Sequence, residues 1–298
     1  MSAVLTLNNV TKFYGKIQAL KDVSFEVPEG SVFGILGPNG SGKTTLLSII
    51  LDVLKANKGN FLWFGHPGSP QLRKKIGSLL ETPNFYHYLS AIDNLKITQA
   101  ISGRGTKPDI DEVLKKVNLF ERRKSRFKTY SLGMKQRLAI AAVLLGNPKV
   151  LVLDEPTNGL DPVGIAEIRQ LIIALRESGH TIIIASHLLD EVEKVCTHVA
   201  ILKTGTLLTT GDVEEVLVDE DIVELSAADI NALANMLQQL SKNISLDKKM
   251  NVVHLILPKG TAKLDEINNF CFGNGIILTH LLLKKKRLEA RFFELTNN

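Results

Sequence analysis

Cysteine is scarce in this 298-residue chain: there are two, Cys196 and Cys271. They form no CxxC pair, which argues against zinc and thioredoxin-like chemistry and suits a reduced, cytosolic setting. Long apolar runs are missing too, and none approaches the ~20 residues of a membrane-spanning helix. Met1 to Gly30 disperses Lys12, Lys16, Lys21 and Asp22 among short alternating stretches, with no apolar core of a signal peptide. A cytosolic chain is expected, unless a partner holds it at a membrane. Neither sign of charge dominates: 36 Lys and Arg stand against 31 Asp and Glu, a net +5. Such an excess permits contact with nucleic acid or an anionic membrane but demands neither. Internal repeats, low-complexity tracts and sustained heptads are also absent.

What is there is an ordinary globular composition, 44% hydrophobic and 22% charged. The length allows one large α/β domain and a smaller one after it. Val4–Val10 and Val23–Val27 alternate apolar and polar residues and read as half-buried antiparallel strands. Ser31–Leu36 is a uniformly apolar strand followed by a Gly-rich loop and an apolar helix over Thr44–Leu54. Lys75–Leu80 suggests a short strand, and Ala91 to Leu145 reads as helical, one helix opening at Asp109-Ile110-Asp111. Strands at Val150–Leu153 and Thr181–Ala185 then alternate with helices at Val163–Glu177 and Leu188–Val195. That rhythm predicts a parallel sheet with helices on both faces. Val199–Lys203 and Thr206–Thr209 flank Thr204-Gly205 as a hairpin. After Gly211 the texture changes, with Asp219-Glu220-Asp221 as a boundary. Beyond it, strands at Ile222–Leu225, Val252–Leu257 and Ile276–Leu283 alternate with helices near Ala228–Leu240 and Ala262–Phe272, a small α+β domain.

The strongest chemical signal is Gly37-Pro38-Asn39-Gly40-Ser41-Gly42-Lys43-Thr44, which matches the phosphate-binding pattern G-x4-G-K-[ST] between a strand and a helix. Glycines let the backbone curl so that its N–H groups face phosphate oxygens. The helix beginning there adds its positive end. Lys43 can supply a point charge for the β and γ phosphates, and the Thr44 hydroxyl can ligate Mg²⁺. A second element is the buried strand Val150–Leu153, which delivers Asp154 and Glu155 at its C-terminal end, where α/β sheets place ligands. Asp154 suits the Mg²⁺ shell and Glu155 suits the polarisation of an attacking water.

From residue 1 to about 215 the chain resembles the ATP-binding cassette (ABC) ATPases. Tyr130-Ser131-Leu132-Gly133-Met134-Lys135-Gln136-Arg137 is similar to the family signature LSGGQ, with Ser131 and Gly133 retained and Leu132 and Met134 departing. Asn158-Gly159-Leu160-Asp161 stands where the family has its D-loop, and Asp161-Pro162 is also a good helix start. His187 matches the switch histidine that senses γ-phosphate. Tyr14, before Gly15, matches the residue that stacks on adenine. The resemblance adds Thr45 to the nucleotide contacts, with Ser131 and Gly133 reaching γ-phosphate. It implies ATP and Mg²⁺ as ligands, Glu155, His187 and Lys43 as catalytic residues, and Thr44, Asp154 and Glu81 at the metal. Glu81 replaces the family's Gln at a position that also links the site to a transmembrane partner. That Glu, with the altered signature, resembles the branch of bacitracin- and lantibiotic-type exporters.

The implied fold is a P-loop ABC ATPase domain: a mixed sheet with a parallel core, an antiparallel β subdomain, and a helical subdomain over about 85–145. It spans 1–215, and a small C-terminal α+β domain spans 219–298. The run Lys284-Lys285-Lys286-Arg287 in that domain reads as a solvated face or a contact for lipid headgroups. ABC cassettes act as head-to-tail dimers, so a homodimer or a paired homologous cassette is implied. The expected partner is a separate ABC-2 type permease on the inner face of the cell membrane, with no nucleic acid. The rival is a soluble ABC ATPase acting on ribosomes or nucleic acid, and a third option is a catalytically silent cassette.

Overall fold

The computed structural model describes residues 2–80, 84–217, 220–241, 243–247, 250–258, 260–284, 288 and 292. Glu81 and the run Lys285–Arg287 therefore lie outside the described residues. The chain divides into two compact units, Met1–Val213 and Glu214–Asn298.

The first unit opens with the strands β1 (Ala3–Tyr14) and β2 (Ile17–Pro28), an antiparallel pair longer than the alternation alone indicates. Then come β3 (Val32–Leu36) and helix α1 (Lys43–Ile50). Strand β4 (Lys58–Trp63) follows and pairs antiparallel with β1. The sequence analysis missed it, because its first three residues, Lys58-Gly59-Asn60, are exposed and show no alternation. The chain continues through α2 (Pro70–Arg73), β5 (Ile76–Leu79), α3 (Ala91–Ser102), α4 (Lys107–Lys116) and α5 (Leu132–Leu144). Helix α4 opens at Lys107, not at Asp109: Asp109 reaches back with Oδ2 to the N–H of Thr106, 2.7 Å away, and so belongs inside the first turn. The unit closes with β6 (Val150–Asp154), α6 (Pro162–Glu177), β7 (Thr181–Ser186), α7 (Leu189–Val195), and the hairpin β8 (His198–Lys203) and β9 (Thr206–Asp212). Helix α8 (Val213–Leu217) leads onward.

Among the described residues these strands form one nine-stranded sheet, ordered β4-β1-β2-β9-β8-β3-β7-β6-β5. Every residue of β3, β6 and β7 is buried, as expected for parallel strands covered on both faces. Leu46, Leu47, Ile49 and Ile50 of α1 join Leu5, Leu7, Phe33 and Ile35 in one core. Each such side chain contributes roughly 1.5–3 kcal/mol on burial. The chain's single Trp, Trp63, is 1% exposed and donates Nε1–H to the Ile50 carbonyl at 2.7 Å. It thereby satisfies a C-terminal carbonyl of α1, which ends at Ile50 and not at Leu54 as the apolar run suggests.

The second unit runs β10 (Glu220–Ala227), α9 (Ile230–Leu237), β11 (Ile244–Asp247), β12 (Val252–Pro258), α10 (Leu264–Gly273) and β13 (Leu278–Lys284). Its antiparallel sheet is ordered β11-β12-β10-β13. Val223, Leu225, Val253 and Leu255 meet Leu233, Leu237, Ile267 and Cys271 of the two helices in a separate core. Strand β11 is an addition to the expected β-α-β-α-β order; four residues are too few to show a period.

Candidate functional site

Parallel pairing builds the site. Leu36 at the end of β3 stands opposite Ser186 at the end of β7, and Ala185 stands opposite Asp154 at the end of β6. Three strand ends therefore release the loop 37–44, the Asp154-Glu155 pair and Ser186-His187 at one edge. Strand β5 is in register with β6, Leu79 opposite Leu153, so β5 ends at that edge too.

The loop is held by its backbone. The Ser41 N–H donates to the Pro38 carbonyl at 3.1 Å, and the Ser41 carbonyl accepts from Gly205 N–H at 2.9 Å. Gly42 has φ +105°, a left-handed conformation that favours glycine, and a Cβ there would lie 2.7 Å from the Ala19 carbonyl oxygen. A Cβ on Gly37 would collide with the Leu202 carbonyl. Lys43 is buried, and its Nζ donates to the Gly37 carbonyl at 2.8 Å and lies 3.8 Å from Glu155 Oε1. Burial pulls the Lys43 pKa below its ordinary value, while Glu155 and Asp154 oppose that shift.

The Thr44 hydroxyl donates to Asp154 Oδ2 at 3.1 Å. Glu155 takes φ +47°, unusual for a residue with a side chain, and its N–H donates to the Ala185 carbonyl at 2.9 Å. Its Oε2 lies 2.9 Å from His187 Nδ1.

A cavity of about 600 Å³ opens on this edge. Asn39, Gly40, Ser41, Gly42, Lys43, Thr44, Thr45, Asp154 and Glu155 line it. Gly37 and Pro38 act behind the wall through carbonyls that hold Lys43, and His187 contacts Glu155, which lines it. Three further expected residues do not line it. Tyr14 ends β1, 46% exposed, with Lys12 Nζ 5.4 Å above its ring; Ala19 lines the cavity instead. Ser131 caps α5, its Oγ accepting from the Met134 N–H at 3.2 Å. Gly133 turns towards α6, where a Cβ would lie 3.9 Å from Gly164 Cα. Leu132 and Gln136, four apart on one helical face, point that end of α5 at the cavity. Asn158 joins them. Ala19, Leu132, Gln136 and Asn158 were missed as site residues. Leu132, Gln136 and Asn158 sit inside motifs already noted, whereas Ala19 carries no chemical signal of its own.

A family model described as ABC transporter matches residues 20–158. The protein YhcH of Bacillus subtilis, described as an uncharacterized ABC transporter ATP-binding protein, is 40% identical over 99% of this chain and 97% of its own length. The chain belongs to the ATP-binding subunits of ABC transporters. The chain is also 33% identical to the bacitracin transport ATP-binding protein BcrA of Enterococcus faecalis, over 99% of its length and 97% of that protein. Among solved structures, cbiO1 of Clostridium perfringens, part of the ABC transporter complex cbiONQ, is 30% identical with a TM-score of 0.67. It covers 80% of this chain and 98% of its own. The cassette therefore has the P-loop ABC ATPase fold, with a small domain following it, and it is a nucleotide-binding subunit. Among the described residues no helix is long and apolar enough to cross a membrane.

Proposed function

We propose that this subunit binds MgATP in the 600 Å³ cavity and hydrolyses it to drive a separate ABC-2 type permease that exports peptide-like or amphipathic compounds. The observation that carries the chemistry is the convergence of Lys43, the Thr44–Asp154 pair and the Glu155–His187 pair at one sheet edge. Lys43 meets the β and γ phosphates, and the loop amides hold the remaining oxygens. Thr44 and Asp154 offer hard oxygen donors that suit Mg²⁺, which characteristically takes few protein ligands and keeps water and phosphate in its shell. Glu155 accepts a proton from the attacking water, and His187 orients that carboxylate. Ser131 and Gly133 belong to the site of a second cassette, which fits their turning away from the cavity of their own chain.

Export of peptide-like cargo rests on the likeness to BcrA, a bacitracin transport protein by description. Glu81 and the Leu132 and Met134 signature point the same way. In this reading the subunit works at the inner face of the membrane through its permease. The deciding experiment expresses the subunit with the membrane protein of its neighbouring reading frame. ATP turnover that rises in the joint complex and falls in Glu155→Gln supports the reading. A subunit that purifies on ribosomes and leaves the membrane protein behind refutes it.

A further inference from the structure

The phosphate loop rests on a hairpin turn formed far downstream of it. Strands β8 and β9 are joined by Thr204 and Gly205, with Lys203 opposite Thr206 across the turn. Both turn residues take positive φ, +44° and +79°, as the tightest hairpin turns require. Glycine and asparagine suit such positions, whereas a β-branched threonine rarely enters that region. Thr204 is exposed, so packing of its side chain does not account for the strain, while Gly205 is buried.

Gly205 is buried against the loop itself. Its N–H donates to the Ser41 carbonyl at 2.9 Å, and its own carbonyl accepts from the Lys21 N–H at 2.8 Å. The second bond lies where β2 runs parallel to β9, Lys21 opposite Thr206. A Cβ on Gly205 would lie 2.5 Å from the carbonyl oxygen of Ala19, a residue that lines the cavity. A Cβ on Gly42 would meet the same oxygen at 2.7 Å. The strand that leads into the turn supports the other end of the loop. Leu36 pairs with Ile201, and the Leu202 carbonyl then stands against Gly37. The hairpin end thus touches the loop at Gly37 and again at Ser41-Gly42, with backbone atoms that have no rotamer to give. No peptide bond in the described chain is cis. In a planar trans peptide the carbonyl and the next N–H point opposite ways. A Ser41 carbonyl drawn to Gly205 therefore turns the Gly42 N–H away from the turn.

We propose that Gly205 is a positioning residue for nucleotide binding: it holds the Ser41–Gly42 peptide so that the Gly42 N–H is set for a phosphate oxygen before the nucleotide arrives. The proposal rests on the reading that the cavity holds the nucleotide, and it needs neither hydrolysis nor a permease. Strained backbone persists where the surrounding structure over-determines it, and it gathers at ligand clamps. The Thr204 strain has that character, since turn, loop and β2 are bonded to one another at Gly205. A donor set in advance needs no reorganisation when its anion binds. A side chain at 205 has to displace Ala19, Gly42 or the turn, and a shift of about 1 Å in such a site can cost ~10²-fold.

The test reads nucleotide affinity and folding separately. MgATP is titrated into the full chain by calorimetry, and melting temperatures are recorded without nucleotide. Gly205→Ala weakens MgATP binding at least ~10-fold. Thr204→Asn, which suits the turn, raises the melting temperature and guards against misfolding of the first variant. Combined with Gly205→Ala, it recovers stability but not affinity. In the wild-type chain, MgATP slows hydrogen exchange at the Gly205 amide more than at Ala200 or Thr210 of the same hairpin, because the filled loop holds its support more tightly by linkage. Wild-type affinity in Gly205→Ala overturns the proposal. So does affinity that returns in step with melting temperature in the double variant, or equal slowing at Gly205, Ala200 and Thr210. A wild-type chain that binds no MgATP sinks the cavity reading and this proposal with it, whereas normal binding that ignores Gly205→Ala sinks this proposal alone.

Discussion

The imidazole of His187 and the carboxylate of Glu155 meet at 2.9 Å, Nδ1 to Oε2, although 32 residues separate them in the chain. The other oxygen of that carboxylate faces Lys43 at 3.8 Å. Glu155 is thus held from two sides, on a backbone whose left-handed φ of +47° costs of order 1–3 kcal/mol. Such cost is commonly met at sites where one side chain must point in one direction. In Glu155→Gln the amide keeps the shape and loses the base. ATP affinity is expected to hold within a few-fold while turnover drops at least ~10²-fold. A phosphate-release assay beside a nucleotide titration checks this, and unchanged turnover refutes the role.

Lys43 is buried beside the carbonyls of Gly37 and Pro38 and offers its charge to whatever anion enters. A hydrogen bond to a charged group contributes about 1.5–3 kcal/mol. Lys43→Ala should therefore weaken ATP binding by roughly 10- to 10²-fold, read by titration with a fluorescent nucleotide. An affinity equal to wild type would remove Lys43 from the phosphate site.

Arg169 on α6 grips Glu191 on α7 with two parallel bonds, 2.8 Å from Nε and 2.9 Å from NH2. Both side chains are largely shielded, at 25% and 17% exposure. The fork ties the helix after the Asn158–Asp161 loop to the helix after His187; burial pushes the Glu191 carboxyl up, but the bonds from Arg169 and Lys194 hold it below its ordinary pKa. Arg169→Met should cost about 1–2 kcal/mol, lowering the melting temperature by a few degrees. Arg169→Lys, which lacks the fork, should recover only part of that. Full recovery by Lys would show that charge alone matters.

In the second unit, Glu224 accepts from Lys284 at 2.8 Å, His254 at 3.0 Å and His280 at 3.1 Å. These bonds, Lys284 foremost, hold its pKa at about 2 against an ordinary 4.5. The folded value is the depressed one, so the stabilisation is complete above 4.5 and is lost as pH falls towards 2. Urea midpoints of the full chain at pH ~6 and ~3 should fall further for wild type than for Glu224→Gln. Equal falls would refute the assignment.

Local patterns made much of this legible. The phosphate loop and the Asp154-Glu155 pair each lie within a few consecutive residues, and their flanking strands are uniformly apolar because both faces are covered. Strands β4 and β11 were not legible, since an exposed strand and a four-residue strand carry no usable period. Tyr14, Ser131 and Gly133 match motif positions by resemblance, and the fold of a single chain does not bring them to the cavity.

The amino-acid sequence by itself determined the chemistry available to this subunit: a curled anion-binding loop, two carboxylates at a strand end and a histidine at another. Those follow from short-range rules, because glycine placement and strand hydrophobicity act over a handful of residues. Only the tertiary structure decided which groups meet. Parallel register brought Thr44 to Asp154 and Glu155 to His187. The pitch of α5 sent Leu132 and Gln136, not Ser131, into the cavity. The buried amide of Asn94 fixed the loop at Tyr86, and backbone bonds from Phe127 and Lys128 to Leu89 and His87 tied that loop to a segment about forty residues downstream. Each of these is a long-range pairing, and its geometry depends on how strands and helices stack rather than on any neighbouring residue.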